Sequence, residues 1–285
     1  MTRFQSRPPL LEVIAGRYRL GTWLLVASLA PFLTGCLLGK AAGKAPDDLI
    51  VYAASSLTDA FTAEADAFEL SASNPAVALD FGASSQLAIQ LLDGAPADIF
   101  ASANEQQMAL VDDAGLLIGP PIAFAANRLV LIVPADNPAG IYTLEDLARP
   151  GVRIVTAVPG VPVRVYTDDL LARLAATPQG AAFRQAYEGN LASEETNVRQ
   201  TTAKVALGEA DAAIVYASDA SSDLASQLHT IPIPQADRVQ PRYFVALLRG
   251  GSHPEQARAF VQFLLSDEGQ EILQRSGFSP LEEHD

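Results

Sequence analysis

Short apolar runs alternate along this chain with segments in which apolar residues recur every three or four positions. The runs are typical of buried strands, and the spaced segments are typical of amphipathic helices. Strands are predicted at residues 49–53, 76–81, 98–101, 129–133, 152–156, 212–216, 231–234 and 243–248. Helices are predicted at residues 57–68, 85–92, 105–114, 143–147, 165–174, 178–187 and 202–207, and from Pro254 through Leu264 behind a Ser252 cap. This alternation predicts an α/β fold with doubly wound parallel sheets.

The strand and helix rhythm restarts after Pro134, which predicts two α/β units. Lobe I is expected to comprise residues 49–125 and 246–285, and lobe II residues 126–245. The hinges between them are expected near residues 125–128 and 242–245. No sequence repeat relates the two units, so they are not an obvious duplication.

The first 36 residues have the pattern of an export signal, because four arginines precede an uncharged apolar stretch at residues 20–38. The apolar stretch ends in Leu33-Thr34-Gly35-Cys36, which resembles the lipobox of bacterial lipoproteins. Cleavage there would leave the Cys36 sulfur to carry a diacylglycerol and residues 37–48 to act as a flexible tether. The alternative is an uncleaved membrane anchor with an incidental cysteine. Both interpretations place the rest of the chain outside the cytoplasm and beside a membrane.

Charge and composition exclude several classes of protein. The chain has a net charge of -14, and residues 37–285 hold 15 basic and 32 acidic residues, so nucleic-acid binding is not expected. A single cysteine excludes a disulfide framework and a cysteine-rich metal cluster. The three histidines lack metal-ligand spacing, and no Gly-x-Ser-x-Gly motif is present. An enzyme is therefore not expected, and neither is a cofactor.

Two serine pairs follow the first two predicted strands, each directly before a helix. Ser55 and Ser56 follow the first strand, and Ser84 and Ser85 follow the second. The N-terminus of a helix carries unpaired N–H groups and a partial positive charge, so it binds anions without a cationic side chain. The two loops meet at the carboxyl ends of the strands, where ligands bind in doubly wound folds. The pairs either form one anion site or merely cap their helices, and the pattern alone leaves both interpretations open.

Several segments resemble the periplasmic molybdate-binding proteins of ABC transporters. They are residues 51–60, 81–87, 94–103 and 208–220, together with the closing helix at residues 260–278, and the resemblance spans residues 49–280. It implies a two-lobed periplasmic binding protein fold of type II, with a hinge between the lobes. It also implies capture of molybdate or tungstate, delivery to an ABC permease and no resident cofactor. A monomer is expected.

The resemblance also implies which groups hold the oxyanion. They are the hydroxyl and N–H groups of Ser56 and Ser84, the N–H groups of Val163 and Val198, and the hydroxyl of Tyr216. Members of the family often carry a small residue and a glycine where this chain has Val163 and Arg164. The Arg164 side chain either adds charge near the cleft or faces water, and the second is favoured.

Other classes stay open as alternatives. Molybdate at neutral pH offers acceptors only, so neutral donors satisfy it, whereas sulfate has the same charge and shape and is rejected by size alone. A binding protein for sulfate or an organic acid is therefore the nearest rival. Iron-binding proteins of this two-lobed class use tyrosine pairs, and Tyr216 has no adjacent tyrosine. A serine-dependent hydrolase and a structural surface lipoprotein are more distant alternatives.

Overall fold

The structure, a computed structural model, describes residues 48–71 and 75–281. The predicted signal peptide, the lipid-bearing Cys36 and the tether up to residue 47 lie outside these residues. Among the described residues, no helix combines the length and the apolar character that crossing a bilayer requires.

The first sheet has five strands in the order β2-β1-β3-β10-β4. Strand β1 runs parallel to β2 and to β3, whereas β10 runs antiparallel to both β3 and β4. The strands are β1 (Leu49–Ala54), β2 (Val77–Gly82), β3 (Ile99–Ser102), β4 (Leu117–Ala126) and β10 (Arg242–Leu248). Strand β4 was not predicted from the pattern, because Pro120 and Pro121 interrupt it. Prolines are tolerated there because β4 is an edge strand.

A second sheet has the order β8-β5-β9, and a third pairs β6 with β7. The strands are β5 (Leu129–Pro134), β6 (Ile154–Ala157), β7 (Leu191–Glu195), β8 (Ala213–Tyr216) and β9 (Leu228–Pro232). The expectation of parallel sheets is correct for β1 to β3 and for β6 with β7. It is wrong for β10, which runs antiparallel to β3 and β4, and for β5, which runs antiparallel to β8 and β9. A run of buried residues has the same composition in either orientation, so the pattern did not reveal strand direction.

The helices match the predicted periodicity in most places. They are α1 (Thr58–Ser71), α2 (Ser84–Leu92), α3 (Glu105–Asp113), α4 (Pro162–Leu174), α5 (Pro178–Gly189), α6 (Val198–Ala206), α7 (Ala217–Ala220), α8 (Pro254–Leu264) and α9 (Asp267–Arg275). Ser252 is not the cap of α8: His253 holds that position because Pro254 is the first helical residue. The single predicted closing helix is two helices, and Ser266 caps the second by accepting from the Gly269 N–H.

Two segments connect the first sheet to the second. Residues 127–128 link β4 to β5, and residues 233–241 link β9 to β10. They run side by side, because the Asn127 N–H donates to the Pro241 carbonyl at 2.8 Å and Ala126 pairs with Arg242. Strand β10 pairs with β4 from Arg242 onward and with β3 from Phe244 onward, so the second connection ends before residue 242.

Candidate functional site

A narrow cavity lies where β1, β2 and β8 end and helices α2, α4 and α6 begin. Its lining includes all five residues that were predicted from the sequence to hold the oxyanion, namely Ser56, Ser84, Val163, Val198 and Tyr216. The remaining lining residues are Ala54, Ser55, Gly82, Ala83, Ala103, Val161 and Pro162. The cavity volume is about 10 Å³, which is about the least that holds one water molecule. The predicted donors are therefore close neighbours in space, although they lie up to 160 positions apart in the sequence.

The serine hydroxyls do not cap their own helices. Ala54 and Ala83 hold the N-cap positions, and neither helical segment has a side-chain cap bond. The Ser84 Oγ instead accepts from the Ala103 N–H at 3.0 Å, which leaves its own proton free to donate. The Ser56 Oγ lies 2.8 Å from the Tyr243 hydroxyl. Both serines are buried, and both are fixed by distant parts of the chain. The capping interpretation of the two serine pairs is thus wrong for Ser56 and Ser84.

The backbone donors come from the first turns of α4 and α6. Pro162 is the first residue of α4 and has no N–H, so Val163 supplies the first N–H of that helix. In α6 the Asn197 side chain accepts from the Gln200 N–H, and Val198 is the first helical residue. The first N–H groups of a helix have no partner within it and lie at the positive end of its dipole. Both N-termini therefore favour an anion in the cavity.

Tyr216 supplies the most unusual group of the cavity. Its side chain is 1% exposed, and its hydroxyl has no hydrogen-bond partner within the described part of the chain. Burial raises the pKa of Tyr216 well above its ordinary value, so the phenol keeps its proton. Leaving such a donor unpaired costs about 1–3 kcal/mol. An acceptor brought into the cavity would remove that cost.

Arg164 neither adds charge to the cavity nor faces water. Its guanidinium binds Asp168 at 2.9 Å, Glu194 at 2.6 Å and the Ala157 carbonyl at 3.1 Å, and its side chain is 17% exposed. The expectation that it faces water is wrong, because two carboxylates and a carbonyl hold it to the protein. Val163 is part of the buried core and also lines the cavity.

The cavity contains donors and no ionised group. Among the described residues that line it, every side chain is apolar or a hydroxyl. The buried carboxyl closest in sequence to a lining residue is that of Asp219, which follows Tyr216 by three positions. Burial raises the pKa of Asp219 to about 7, and Arg199 opposes that rise. No group of three or more histidine, cysteine or acidic side chains within the described ranges could hold a metal cation.

Sequence reasoning missed one residue that shapes the site. Tyr243 lies on β10, is fully buried, and contacts both the Ser56 hydroxyl and the ring of Tyr216, whose centroid lies 5.9 Å away. Its hydrogen bond to Ser56 joins residues 187 positions apart, so no local sequence pattern predicts it. The available signal was a single tyrosine in a strand whose other residues, apart from Arg242, are apolar.

Comparison with known proteins gives one matching family and several relatives. The sequence matches the family of bacterial extracellular solute-binding proteins over residues 49–279. It is 37% identical over 273 residues to the molybdate-binding protein ModA of Mycobacterium tuberculosis, covering 91% of this chain and 97% of that protein.

Two solved structures share the fold. The periplasmic molybdate-binding protein of Azotobacter vinelandii superposes with a TM-score of 0.69 at 19% identity, covering 82% of this chain and all of that one. The sulfate-binding protein SubI of Mycobacterium tuberculosis superposes with a TM-score of 0.74 at 22% identity, covering 83% and 88%. The fold is therefore that of the periplasmic binding proteins, as the sequence predicted. Since the family match spans residues 49–279, the protein belongs to the bacterial extracellular solute-binding proteins.

Proposed function

We propose that this protein captures molybdate, and equally tungstate, in the cavity of Ser56, Ser84, Val163, Val198 and Tyr216 and delivers it to an ABC permease. The observation that carries the proposal is the donor set. Four donor groups from the first sheet's loops, the hydroxyls and N–H groups of Ser56 and Ser84, and three from α4, α6 and β8 belong to residues that line a cavity without an ionised side chain. A fully deprotonated oxyanion accepts hydrogen bonds at every oxygen, so it suits such a site. The 37% identity to a molybdate-binding protein supports this ligand.

Entry of the ligand requires the cavity to widen. A tetrahedral oxyanion has five heavy atoms, which is more than a cavity of about 10 Å³ accommodates. We propose two lobes that part and close around the oxyanion. Lobe I holds the first sheet with α1 to α3, α8 and α9, and lobe II holds the second and third sheets with α4 to α7. The connections at residues 127–128 and 233–241 would act as the hinge. The first overlaps the segment predicted at residues 125–128, whereas the second segment predicted, residues 242–245, lies within β10.

Sulfate is the second candidate ligand, because SubI shares the fold. Hydrogenphosphate is disfavoured, since its proton would favour a carboxylate as acceptor and no carboxylate lines the cavity. Sulfate accepts hydrogen bonds from the same donors as molybdate and is smaller. The distance between the donor groups in the closed protein therefore determines which of the two anions binds more tightly.

The location of the protein follows from the family and from the N-terminal sequence together. We propose that Cys36 carries lipid and that residues 37–48 tether the binding domain to the outer side of the cell membrane. A tether of this kind keeps the domain near its permease and raises the effective concentration of each for the other. The binding domain acts as a monomer that presents both lobes to the permease, and no enzymatic activity is proposed.

Thermal unfolding of residues 37–285 with molybdate, tungstate, sulfate or phosphate tests the proposal. A ligand at about a thousand times its dissociation constant adds about 4 kcal/mol, which raises the Tm by about 8–16 °C. We expect this increase with molybdate and tungstate, and little change with the other two anions. An increase with sulfate alone would assign the site to sulfate, and no increase with any anion would refute the oxyanion site.

The variant Ser84→Ala tests the same site at one atom. It removes a hydroxyl from the cavity and the acceptor of the Ala103 N–H, so we expect molybdate affinity to fall about tenfold or more. Ser85→Ala is the matched control, because Ser85 is the next residue of α2 and does not line the cavity. Equal affinity of the two variants would contradict a ligand role for Ser84.

A further inference from the structure

An ion pair joins two helices whose N-terminal segments carry different donors of the proposed site. Arg199 follows the donor Val198 in α6, and Asp59 follows the donor Ser56 by three positions and lies in α1. The guanidinium binds the carboxylate through both of its terminal nitrogens, with Nη1 to Oδ2 at 2.8 Å and Nη2 to Oδ1 at 2.9 Å. Parallel double hydrogen bonds of this kind fix the relative orientation of the two groups as well as their distance.

The two helices belong to different sheets. Helix α1 packs against β1 and β2, whereas α6 packs against β5, β6, β7 and β8. Widening the cavity would move these sheets apart and would break the pair. The side chains are 25% and 39% exposed, so the pair is shielded from water more than a free surface pair is. Arg199 Nη2 also binds Asp223 at 2.8 Å, but the Asp223 side chain is 70% exposed.

We propose that the pair of Arg199 and Asp59 is a latch that favours the closed cavity and holds the donors of Ser56 and Val198 in register. Neither side chain lines the cavity, so both are positioning residues. The latch rests on the proposed function for its effect on affinity. Its effect on the shape of the ligand-free protein does not depend on which ligand binds.

A simple field effect makes the opposite prediction for one of the two residues. If charges near the cavity acted only through their field on the oxyanion, neutralising Asp59 would strengthen binding, because a negative charge would be lost. The latch predicts that neutralising Asp59 weakens binding. Neutralising Arg199 weakens binding in both cases, so Asp59→Asn is the decisive variant.

The test measures molybdate affinity by calorimetry for the wild type, Asp59→Asn, Arg199→Gln and the double variant. We expect Asp59→Asn to bind about tenfold more weakly, which corresponds to the loss of a charged hydrogen-bonded contact. We expect the double variant to bind no more weakly than Arg199→Gln alone, since the pair can be lost only once. Arg199→Lys keeps the charge but not the paired geometry, and an intermediate affinity is expected.

Asp211→Asn is the matched control. Asp211 also receives two hydrogen bonds from one guanidinium, that of Arg153, at 3.4 Å from Nε and 2.7 Å from Nη2. That pair lies within the proposed lobe II, so the latch predicts unchanged affinity. If Asp59→Asn lowered affinity only because it unfolds the protein, its ligand-free Tm would fall below that of the control.

Small-angle scattering of the ligand-free protein gives a second readout. We expect a larger radius of gyration for Asp59→Asn than for the wild type and the control. Wild-type affinity in Asp59→Asn, or tighter binding, would overturn the latch. If the wild type bound no oxyanion, the proposed function would fail, but the latch could still be tested by scattering. A larger radius of gyration for Asp59→Asn than for the wild type would then support the latch. An unchanged radius of gyration would refute it.

Discussion

Replacing Tyr216 with phenylalanine should move stability and affinity in opposite directions. The change removes one hydroxyl from a ring that is 1% exposed and leaves the packing against Tyr166 and Tyr243 in place. That hydroxyl has no hydrogen-bond partner within the described residues, so the ligand-free protein loses no bond. It is, however, one of the donors that the proposed oxyanion would use.

The two effects have comparable size. Removing a buried unpaired hydroxyl should stabilise the ligand-free protein by about 1 kcal/mol or more, which raises its Tm by about 2–4 °C. Losing a hydrogen bond to a charged ligand should cost about 1.5–3 kcal/mol, which weakens binding about 10- to 150-fold. The variant should therefore be the more stable protein without molybdate and the less stabilised one with it.

Urea unfolding without ligand and calorimetric titration with molybdate measure the two quantities separately. Tyr187→Phe is the control, because Tyr187 is buried but does not line the cavity. Removing the Tyr187 hydroxyl should therefore leave molybdate affinity unchanged. A ligand-free Tyr216→Phe protein that is less stable than the wild type would show that the hydroxyl is paired. Unchanged affinity would show that it does not face the oxyanion.

Two further predictions concern pH. Burial raises the pKa of Glu64 to about 9 from 4.5, so the stability that its neutral form contributes is present below about pH 4.5 and is lost as the pH rises towards 9. The free energy of unfolding of Glu64→Gln relative to the wild type should rise by about 1.4 kcal/mol per pH unit across that window. Equal pH profiles of the two proteins in urea unfolding would contradict this. Burial raises the pKa of Asp219 to about 7, while the charge of Arg199 lowers it and that of Asp59 raises it. Asp219 lies three residues after Tyr216, so its ionisation adds a negative charge near the proposed site. Molybdate affinity should therefore fall as the pH rises through 7, and Asp219→Asn should flatten that fall in calorimetry at pH 6 and 8.

The sequence predicted those parts of the fold and the site that local patterns encode. Strands β1 and β2 and the helices that follow them were predicted within three residues, because apolar runs and helical periodicity are local. The approach of Ser56 to Tyr243, and of Asp59 to Arg199, depends on which strand lies beside which. That order places β10 between β3 and β4, and no spacing in the chain reveals it.

The site also departs from what the overall charge suggests. An acidic protein that binds a dianion would be expected to concentrate arginines around it, yet the two arginines nearest the site in sequence, Arg164 and Arg199, are each paired with two carboxylates. The cavity relies on oriented N–H groups, hydroxyls and helix dipoles, which cost no reorganisation when the anion arrives. Such dipoles are most effective where little water competes with the anion, and a cavity of about 10 Å³ holds about one water molecule at most. In the proposed site, closure therefore brings the neutral donors together around the oxyanion, and the distance at which closure stops sets the size of anion that all donors reach at once.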